Sequence, residues 1–241
     1  MLPPDDIDDA PDAASADGRQ LRWEEHNRAR RQRLLDAAIA LLDEREAGAD
    51  LRMAEIAERA GLRRPVIYRY FTDRQALDAA IEAEVAARLA HEIMPHLDVA
   101  QPIIDIIHDS IAVYVRWSED HPSLRWIIDR GARSPGGPVE RGFSDVAQIV
   151  AALVLGAVDG LDMPVTERER RYVDPLVHGL VDAVVGTVRR WVSLEDRPPA
   201  NILVHLSTES VWYIMAGHAQ ALGVTLERDQ NLADLSASSR G

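Results

Sequence analysis

The chain has 241 residues, of which 46% are hydrophobic, and a formal net charge of -13. It contains no cysteine, which excludes disulfides and thiolate chemistry. The length suits one large domain or two small ones. The N-terminus has neither the basic region nor the apolar run of a secretory signal. No apolar stretch of about 20 residues is evident, so we expect a cytoplasmic protein without a membrane partner.

The charge is unevenly distributed. Residues 1–18 contain six aspartates and no basic residue, which predicts a disordered acidic tail. Residues 19–74 carry 13 arginines against 10 carboxylates. Residues 226–241 are predicted to form a flexible C-terminal tail. A basic segment therefore lies inside an acidic molecule, and its local potential determines whether it attracts a polyanion.

Between the tails the pattern predicts an all-α fold. Apolar residues recur at spacings of three and four over 28–45. Gly61 separates a short helix over 53–60 from a second one ending near residue 70, and a fourth helix, capped by Thr72 or Asp73, extends to Met94. Longer helices are predicted at 101–120, 122–133, 143–161, 166–193 and 200–223. These boundaries give a helix-turn-helix domain over 19–74 and a larger helical domain over 75–225.

Two short helices joined by a tight, glycine-containing turn form a helix-turn-helix. The apolar side chains of the pair are expected to face each other, which leaves Arg63, Arg64, Tyr68 and Arg69 outside this small core. Such a second helix fits the major groove of DNA, where arginine can bind guanine through two hydrogen bonds. A merely solvated basic surface is the alternative interpretation.

Three segments resemble the DNA-binding domain of the TetR family of transcriptional repressors: RLLDAAIALLDE (33–44), MAEIAERAGL (53–62) and VIYRYFTDRQAL (66–77). The resemblance implies that Arg63, Arg64 and Pro65 face base edges. It places Tyr68 and Tyr70 on phosphates and sugars and Arg74 on the DNA backbone. The complete predicted DNA-binding set is Arg28, Arg30, Arg31, Met53, Arg63, Arg64, Pro65, Tyr68, Arg69, Tyr70 and Arg74.

Four members of this set, Met53 and the arginines at 28, 30 and 31, have a less certain contact with DNA in this sequence than the family pattern implies. Met53 occupies a position that is often threonine or serine in the family, and methionine cannot donate the hydrogen bond to the DNA backbone that those residues make. The arginines at 28, 30 and 31 precede the domain, where a basic arm can reach phosphates or the minor groove. A solvated helix start is the alternative for these three.

For the larger domain, the resemblance implies a small-molecule site and a homodimer. The last two long helices are strongly apolar, and two such helices from each subunit can form a four-helix bundle. Gly179, Gly186 and Gly217 would allow close helix approach. An ordinary intramolecular core is the alternative.

The predicted ligand-binding residues are Ile107, His108, Ile111, Tyr114, Trp117, Trp126, Phe143, Val150 and Val154. Their apolar character favours a lipophilic ligand, although core packing is an alternative role for each of them. Two helical groups, Asp105 with His108 and Asp174 with His178 and Asp182, have spacings that can bind a metal. Exposed salt bridges are commoner, so neither a metal nor a cofactor is expected. No enzyme motif occurs, which argues against an enzyme.

The resulting hypothesis is a homodimeric repressor that binds a palindromic DNA operator and is released by a lipophilic small molecule. The alternative is a DNA-binding regulator without a small-molecule effector, either controlled by a protein partner or acting as an activator.

Overall fold

The computed structural model describes residues 13–160 and 165–231, which fold into helices joined by short loops. The helices are α1 (Ala13–Asp43), α2 (Met53–Arg59), α3 (Arg64–Tyr70), α4 (Arg74–Ile93), α5 (Ile103–Asp120), α6 (Pro122–Gly131), α7 (Pro138–Gly160), α8 (Glu167–Arg170), α9 (Val173–Val192) and α10 (Ala200–Ala221). A short 3-10 helix, Met94–His96, extends α4. The predicted all-α class is confirmed for the described ranges, where no strand occurs and one isolated bridge joins Pro102 to Asn231.

Helices α1 to α3 and the start of α4 enclose a small core. Five large side chains, drawn from all four helices, are each 1% exposed or less: Leu34, Leu35, Ile56, Ile67 and Leu77. Burying a side chain of this size contributes about 1.5–3 kcal/mol. Because Ile67 anchors α3 in this core, the opposite side of α3 must face outward.

Helix α4 connects this N-terminal domain to the rest of the molecule. It is capped by Asp73, whose Oδ1 accepts a hydrogen bond from the backbone N–H of Ala76 at 2.7 Å. Twenty residues of α-helix span about 30 Å. Leu77 near its start lies in the small core, whereas Ile93 at its end lines a cavity in the larger domain. Helix α4 therefore contacts both the core of the N-terminal domain and the cavity of the larger domain.

In the larger domain α10 packs along α5, and α7 packs against both α4 and α9. The expectation that no long apolar stretch exists was wrong for α7. Among the described helices, α7 alone is long and apolar enough to cross a membrane, with a mean hydropathy of 1.5. Val146 and Val158 of α7 are buried and line the cavity, and α7 packs against α4 and α9, whereas Ile149 stays 37% exposed.

Two predicted boundaries in the first and last thirds of the chain were wrong. Helix α1 begins at Ala13, so residues 13–18 are helical, as their three alanines favour. Residues 1–12 of the predicted acidic tail lie outside the described residues.

The predicted helix over 166–193 is divided into α8 and α9. Pro175 has no N–H to donate to the preceding turn, and it is therefore accommodated in the first turn of α9.

The predicted C-terminal tail is partly ordered. Residues 226–231, which we call the C-terminal strap, return to the start of α5, where the N–H of Ile103 donates to the carbonyl of Gln230 at 3.1 Å. Arg228 binds both carboxylate oxygens of Glu209 on α10, at 2.7 and 2.6 Å. Leu226 packs with Ile103. The prediction of a flexible tail is therefore wrong for the strap, and residues 232–241 lie outside the described part of the chain.

Candidate DNA-binding surface and effector cavity

The turn between α2 and α3 is closed by two backbone hydrogen bonds. The N–H of Leu62 donates to the carbonyl of Ala57 at 2.8 Å, and that of Gly61 donates to the carbonyl of Glu58 at 3.0 Å. Gly61 has a φ of +66°, in the left-handed region that favours glycine. This is the hydrogen-bond pattern with which glycine commonly ends a helix. It fixes the angle at which α3 leaves α2.

Arg33 of α1 supports the same turn. Its Nη2 donates to the carbonyl of Ala60 at 2.8 Å, which places a positive charge at the C-terminus of α2. This contact is not predictable from local sequence, because it joins residues 27 positions apart.

The outer face of α3 is basic and exposed. Arg63, Arg64 and Arg69 are exposed, as is Tyr68, with 46% of its surface accessible. None of these three arginines forms an ion pair with any residue that the structure describes. Other arginines of the domain do so: Arg52 with Glu55, Arg59 with Glu44, and Arg74 with Asp78 and Asp50. The guanidinium groups beside α3 thus retain the donors that bind phosphate or guanine.

Arg74 lies in a different environment from the one that the resemblance implied. Its Nε donates to Asp78 at 2.8 Å, and its Nη1 donates to Asp50 at 3.1 Å and to the carbonyl of Leu51 at 2.6 Å. These bonds join the start of α4 to the loop that precedes α2. These bonds give Arg74 a role in holding the domain together, and its DNA-backbone contact stays a prediction.

Two further members of the predicted DNA-binding set are engaged inside the domain. Met53 is half-buried and packs against the hydrophobic core. The hydroxyl of Tyr70 donates to Oδ1 of Asn27 on α1 at 3.1 Å. Pro65, by contrast, is exposed in the first turn of α3 beside Arg64.

The predicted N-terminal arm is part of α1. Arg28 and Arg31 are exposed and Arg30 is half-buried. The guanidinium of Arg31 lies over the ring of Phe71, 5.5 Å from its centroid, at a distance where a cation is attracted to an aromatic face. Since Phe71 directly follows α3, this contact places a positive charge of α1 beside the end of α3.

The larger domain contains a cavity of about 720 Å³ between α5, α7, α9 and α10. Ile93 and Leu97 close it on the α4 side, and Leu226 of the C-terminal strap also contributes to its wall. Among the described lining residues, Glu169 provides the sole carboxylate and no arginine is present. The volume is typical of small-molecule sites, and the wall is almost entirely apolar.

Six of the nine predicted ligand-binding residues line this cavity: Ile107, Ile111, Tyr114, Phe143, Val150 and Val154. The rings of Tyr114 and Phe143 meet edge to face, with centroids 6.2 Å apart. The spacing of the α5 residues, at 107, 111 and 114, is that of a single helical face.

The other three predicted ligand residues lie elsewhere. His108 is exposed, with Nδ1 3.0 Å from the carboxylate of Asp109, because one step along a helix from Ile107 turns the side chain by about 100°. Trp117 is buried beside His121, with ring centroids 5.5 Å apart. Trp126 is 39% exposed, and its ring lies under the guanidinium of Arg130.

The apolar residues of α9 and α10 are predicted from the sequence to form a dimer interface, yet several of them form the cavity wall: Leu180, Val184, Val211, Met215 and Leu222. The sequence itself indicates that α9 has a second apolar contact. Its apolar residues occupy more than one side of the helix, whereas a single packing interface needs only one side.

Polar groups of α6 lie behind the cavity wall at Tyr114. Tyr114 is 3% exposed, and burial raises the pKa of its hydroxyl above the ordinary value. Arg125 and Asp129 of α6 form an ion pair at 2.7 Å. Burial also raises the pKa of Asp129, while the positive charge of Arg125 opposes that shift. The wall at Tyr114 is thus backed by charged groups of α6.

Helix α6 in turn contacts the end of α1. The Oγ of Ser123 donates to the carbonyl of Arg45. The Nδ1 of His121 lies 2.9 Å from the carboxylate of Asp43. A continuous series of contacts therefore leads from the cavity wall through α6 to the N-terminal domain.

An apolar surface lies on α9 and α10. Large hydrophobic side chains that are at least 46% exposed occur on both helices: Leu176, Ile202, Leu206, Tyr213 and Ile214. Contiguous exposed apolar patches often mark protein interfaces.

The histidines considered as metal ligands have other contacts. Nε2 of His178 lies 3.0 Å from Oγ of Ser144, and its Nδ1 lies 2.9 Å from the carbonyl of Asp174. In the part of the chain that the structure describes, no group of three or more histidine, aspartate or glutamate side chains is placed to hold a metal.

Comparison with known proteins identifies the family. The model of "Bacterial regulatory proteins, tetR family" matches residues 34–81, which include α2, α3 and the buried face of α1. The uncharacterized HTH-type transcriptional regulator MT1294 of Mycobacterium tuberculosis is 35% identical over 151 residues, covering 62% of this chain and 73% of that protein. The chain belongs to the TetR family. This TetR-family chain is a DNA-binding transcriptional regulator with a helix-turn-helix.

Two further comparisons extend over most of the regulator. A second uncharacterized HTH-type regulator of Mycobacterium tuberculosis, MT0489, is 25% identical over 214 residues, or 88% of each chain. A tetR-family regulator from Streptomyces coelicolor has a crystal structure that superimposes with a TM-score of 0.58 at 20% identity, covering 80% of this chain and 87% of that one. The fold of the larger domain is therefore shared with the family as well.

Proposed function

We propose that this regulator is a cytoplasmic repressor that binds a palindromic operator as a homodimer and is released by an uncharged lipophilic molecule. The observation that carries the DNA-binding part is the group of exposed arginines on and directly before α3, which form no ion pair with any described residue. Arg64 lies at the start of α3, where side chains of a recognition helix reach base edges. Arg63 directly precedes it and would also face base edges, and Arg69, in the last turn of α3, would supply a phosphate contact.

The homodimer follows from the geometry of DNA and from the apolar surface of α9 and α10. One recognition helix of seven residues reads a single half-site. Two copies can read half-sites about 34–36 Å apart, one helical turn of DNA. The exposed apolar residues of α9 and α10 provide the contact that would hold the two copies together.

The cavity supports a lipophilic effector. An organic anion would leave its charge unpaired against this apolar wall, which is strongly unfavourable. Glu169, the one carboxylate among the described lining residues, would also repel it. The Oγ of Ser110 is buried, lines the cavity and has no hydrogen-bond partner among the described residues. An unpaired buried hydroxyl costs free energy, so a ligand with one hydroxyl or carbonyl group near Ser110 would be favoured.

Release from DNA would use the contacts that join the two domains. An effector in the cavity contacts Ile93 at the end of α4 and Tyr114 in front of α6. Helix α4 carries a displacement to the N-terminal domain directly, and α6 carries one through its contacts with the end of α1. Either path changes the separation of the two recognition helices in a dimer.

The DNA-binding proposal is tested with Arg64→Ala. An operator is first selected from random duplex DNA, and affinity is then measured by fluorescence anisotropy across its single-base variants. We expect the substitution to cost about 1–3 kcal/mol and to relax the preference at one base pair. Arg116→Ala, an exposed change on α5, is the control. A uniform loss of affinity with intact base preference would contradict the assignment of Arg64 as a base reader.

The effector proposal is tested by a thermal-shift screen of uncharged lipophiles and their carboxylate analogues. A ligand that binds the folded state raises the melting temperature by mass action. We expect uncharged compounds to raise it, and the same compounds to release the operator in the anisotropy assay. A response only to the carboxylates would overturn the uncharged effector, and a response to none of the compounds would argue for control by a protein partner.

A further inference from the structure

Helix α3 is held in the N-terminal domain by a single row of buried side chains. Within α3 only Ile67 is buried, and Phe71, four positions later, is buried directly after the helix ends. Because residues four positions apart lie on the same side of a helix, these two anchors do not fix the rotation of α3 about its own axis. A rotation of about 5° moves the outer side of a helix, about 5–6 Å from the axis, by about 0.5 Å. That distance is the tolerance within which a recognition side chain must be held.

A hydrogen bond from α3 to α1 restrains this rotation. The hydroxyl of Tyr70, the last residue of α3, donates to Oδ1 of Asn27 at 3.1 Å. Tyr70 lies three positions after Ile67, which places its side chain about 60° to one side of the row of anchors. Asn27 lies seven positions before the fully buried Leu34, so it continues the core-facing side of α1. Among the residues that the structure describes, this is the one side-chain hydrogen bond that joins α3 to another helix.

The proton of the Tyr70 hydroxyl can serve one acceptor at a time. Phosphate oxygens of DNA accept hydrogen bonds and do not donate them, so Tyr70 cannot donate to Asn27 and to a phosphate with the same proton. Tyr68, two positions earlier, is 46% exposed, whereas Tyr70 is half-buried. The two tyrosines of α3 therefore face different partners. Tyr68 faces outward, and Tyr70 faces α1.

We propose that Asn27 is a positioning residue for the recognition helix: through the hydroxyl of Tyr70 it sets the rotation of α3, so that base preference depends on a side chain of α1 that contacts no base. This inference rests on the DNA-binding part of the proposed function, in which α3 reads the operator. It does not require Arg64 to be the reader, because a rotation displaces every side chain of α3. Loss of the Asn27 bond should therefore weaken the discrimination between sequences, whereas loss of a phosphate contact would weaken the binding of all sequences alike.

The experiment uses the full chain and the operator selected as described above. Asn27→Ala removes the acceptor of the bond, Tyr70→Phe removes only the donor, and the double variant completes a cycle. Asn27→Asp retains an acceptor for Tyr70. Gln20→Ala is the matched control, because it removes another amide of α1 whose hydrogen bond is to Glu24 of the same helix. Anisotropy across all single-base variants of the operator gives the base preference, and circular dichroism verifies folding.

We expect Asn27→Ala and Tyr70→Phe each to lower the discrimination between the operator and its single-base variants by about fivefold, as the loss of one hydrogen bond would. The double variant should lower the discrimination no further than either single change, because the two residues act through the same bond. Asn27→Asp and Gln20→Ala should retain the base preference of wild type.

A folded Asn27→Ala chain with intact base preference would overturn the inference, whatever its affinity. Additive losses in the double variant would also overturn it, since the two residues would then act separately. The same holds for an Asn27→Asp chain that loses as much preference as Asn27→Ala. If Asn27→Ala does not fold, Tyr70→Phe decides, and an unchanged preference in that variant would overturn the inference. A wild type that selects no operator would refute the proposed function itself, and this inference with it.

Discussion

Gly142 of α7 lies so close to Ala86 of α4 that a β-carbon built on Gly142 would be 2.9 Å from the β-carbon of Ala86. Two methyl groups cannot approach to this distance, so only glycine permits the observed approach of α7 to α4. The contact lies between the N-terminal domain and the cavity, on the helix that touches both. The close packing of α7 on α4 therefore gives a movement of the cavity wall a second route to α4, beside the direct contact of Ile93 with the cavity.

Gly142→Ala should force α4 and α7 apart. Gly156 lies on the same helix with no neighbour within 4 Å of a built β-carbon, so Gly156→Ala is the control. We expect Gly156→Ala to stabilise the protein by about 0.5–1 kcal/mol, because alanine favours the helix. Gly142→Ala gains the same stabilisation from the helix preference of alanine but overpacks the contact with Ala86. It should therefore be about 1–3 kcal/mol less stable than Gly156→Ala. Urea denaturation measures both, and equal stabilities would show that the contact adjusts freely.

Arg74 and Arg69 should differ in their effect on salt dependence. Arg69→Gln should lower the slope of log affinity against log salt by about one per subunit, because it removes a phosphate contact. Arg74→Gln should leave that slope unchanged and lower the free energy of unfolding by about 1 kcal/mol, because its contacts are to Asp78, Asp50 and the carbonyl of Leu51. Anisotropy at several salt concentrations, combined with denaturation, distinguishes the two roles. A reduced slope for Arg74→Gln would restore it to the DNA contacts.

Filling the cavity should abolish the binding of Nile red, an uncharged fluorescent probe. Val154 of α7 lines the cavity, whereas Ala152 on the same helix is exposed and does not line it. Val154→Trp places a large ring in the space that a ligand would use, and we expect the Nile red affinity to fall at least tenfold. Ala152→Trp adds the same ring outside the cavity and should leave the affinity unchanged. Fluorescence titration of the two variants measures this difference, and equal affinities would place the probe elsewhere.

The C-terminal strap should make a pH-dependent contribution to stability. The hydrogen bonds from Arg228 lower the pKa of Glu209 from its ordinary 4.5 to about 2. Because the pKa is lower in the folded state, the stabilisation is fully present above about pH 5 and is lost as the pH falls towards 2. Arg228→Gln should therefore lower the melting temperature above pH 5, and its difference from wild type should shrink at lower pH. A difference that does not change with pH would mean that the pair is not the cause, and Arg116→Gln serves as the control.

The helix-turn-helix was predictable because its signals are local. The spacing of apolar residues places Ile56 and Ile67 inside, and Gly61 marks the turn. The ion pair of Arg74 with Asp50 was not predictable, since it joins residues 24 positions apart and depends on how α4 meets the loop before α2. The same holds for the contact of Arg33 with Ala60. Periodicity shows which side of a helix is polar, but it does not show which carboxylate a given arginine meets.

The cavity was predictable only in part. Ile107, Ile111 and Tyr114 follow from the apolar face of α5. His108 does not line the cavity because it lies one position from that face. Trp126 is large and aromatic, but tertiary packing leaves it partly exposed under Arg130. Whether an apolar side chain faces a void or another side chain depends on the fit of four helices, and the sequence of one helix does not contain that information.

The C-terminal strap also bears on what proteolysis would do to this regulator. A cut before residue 226 would remove the hydrogen bond to Ile103 and the ion pair with Glu209. It would also remove Leu226 from the cavity wall. A chain shortened by a protease would therefore lose support for α5 and α10 and part of the enclosure of the cavity in a single step.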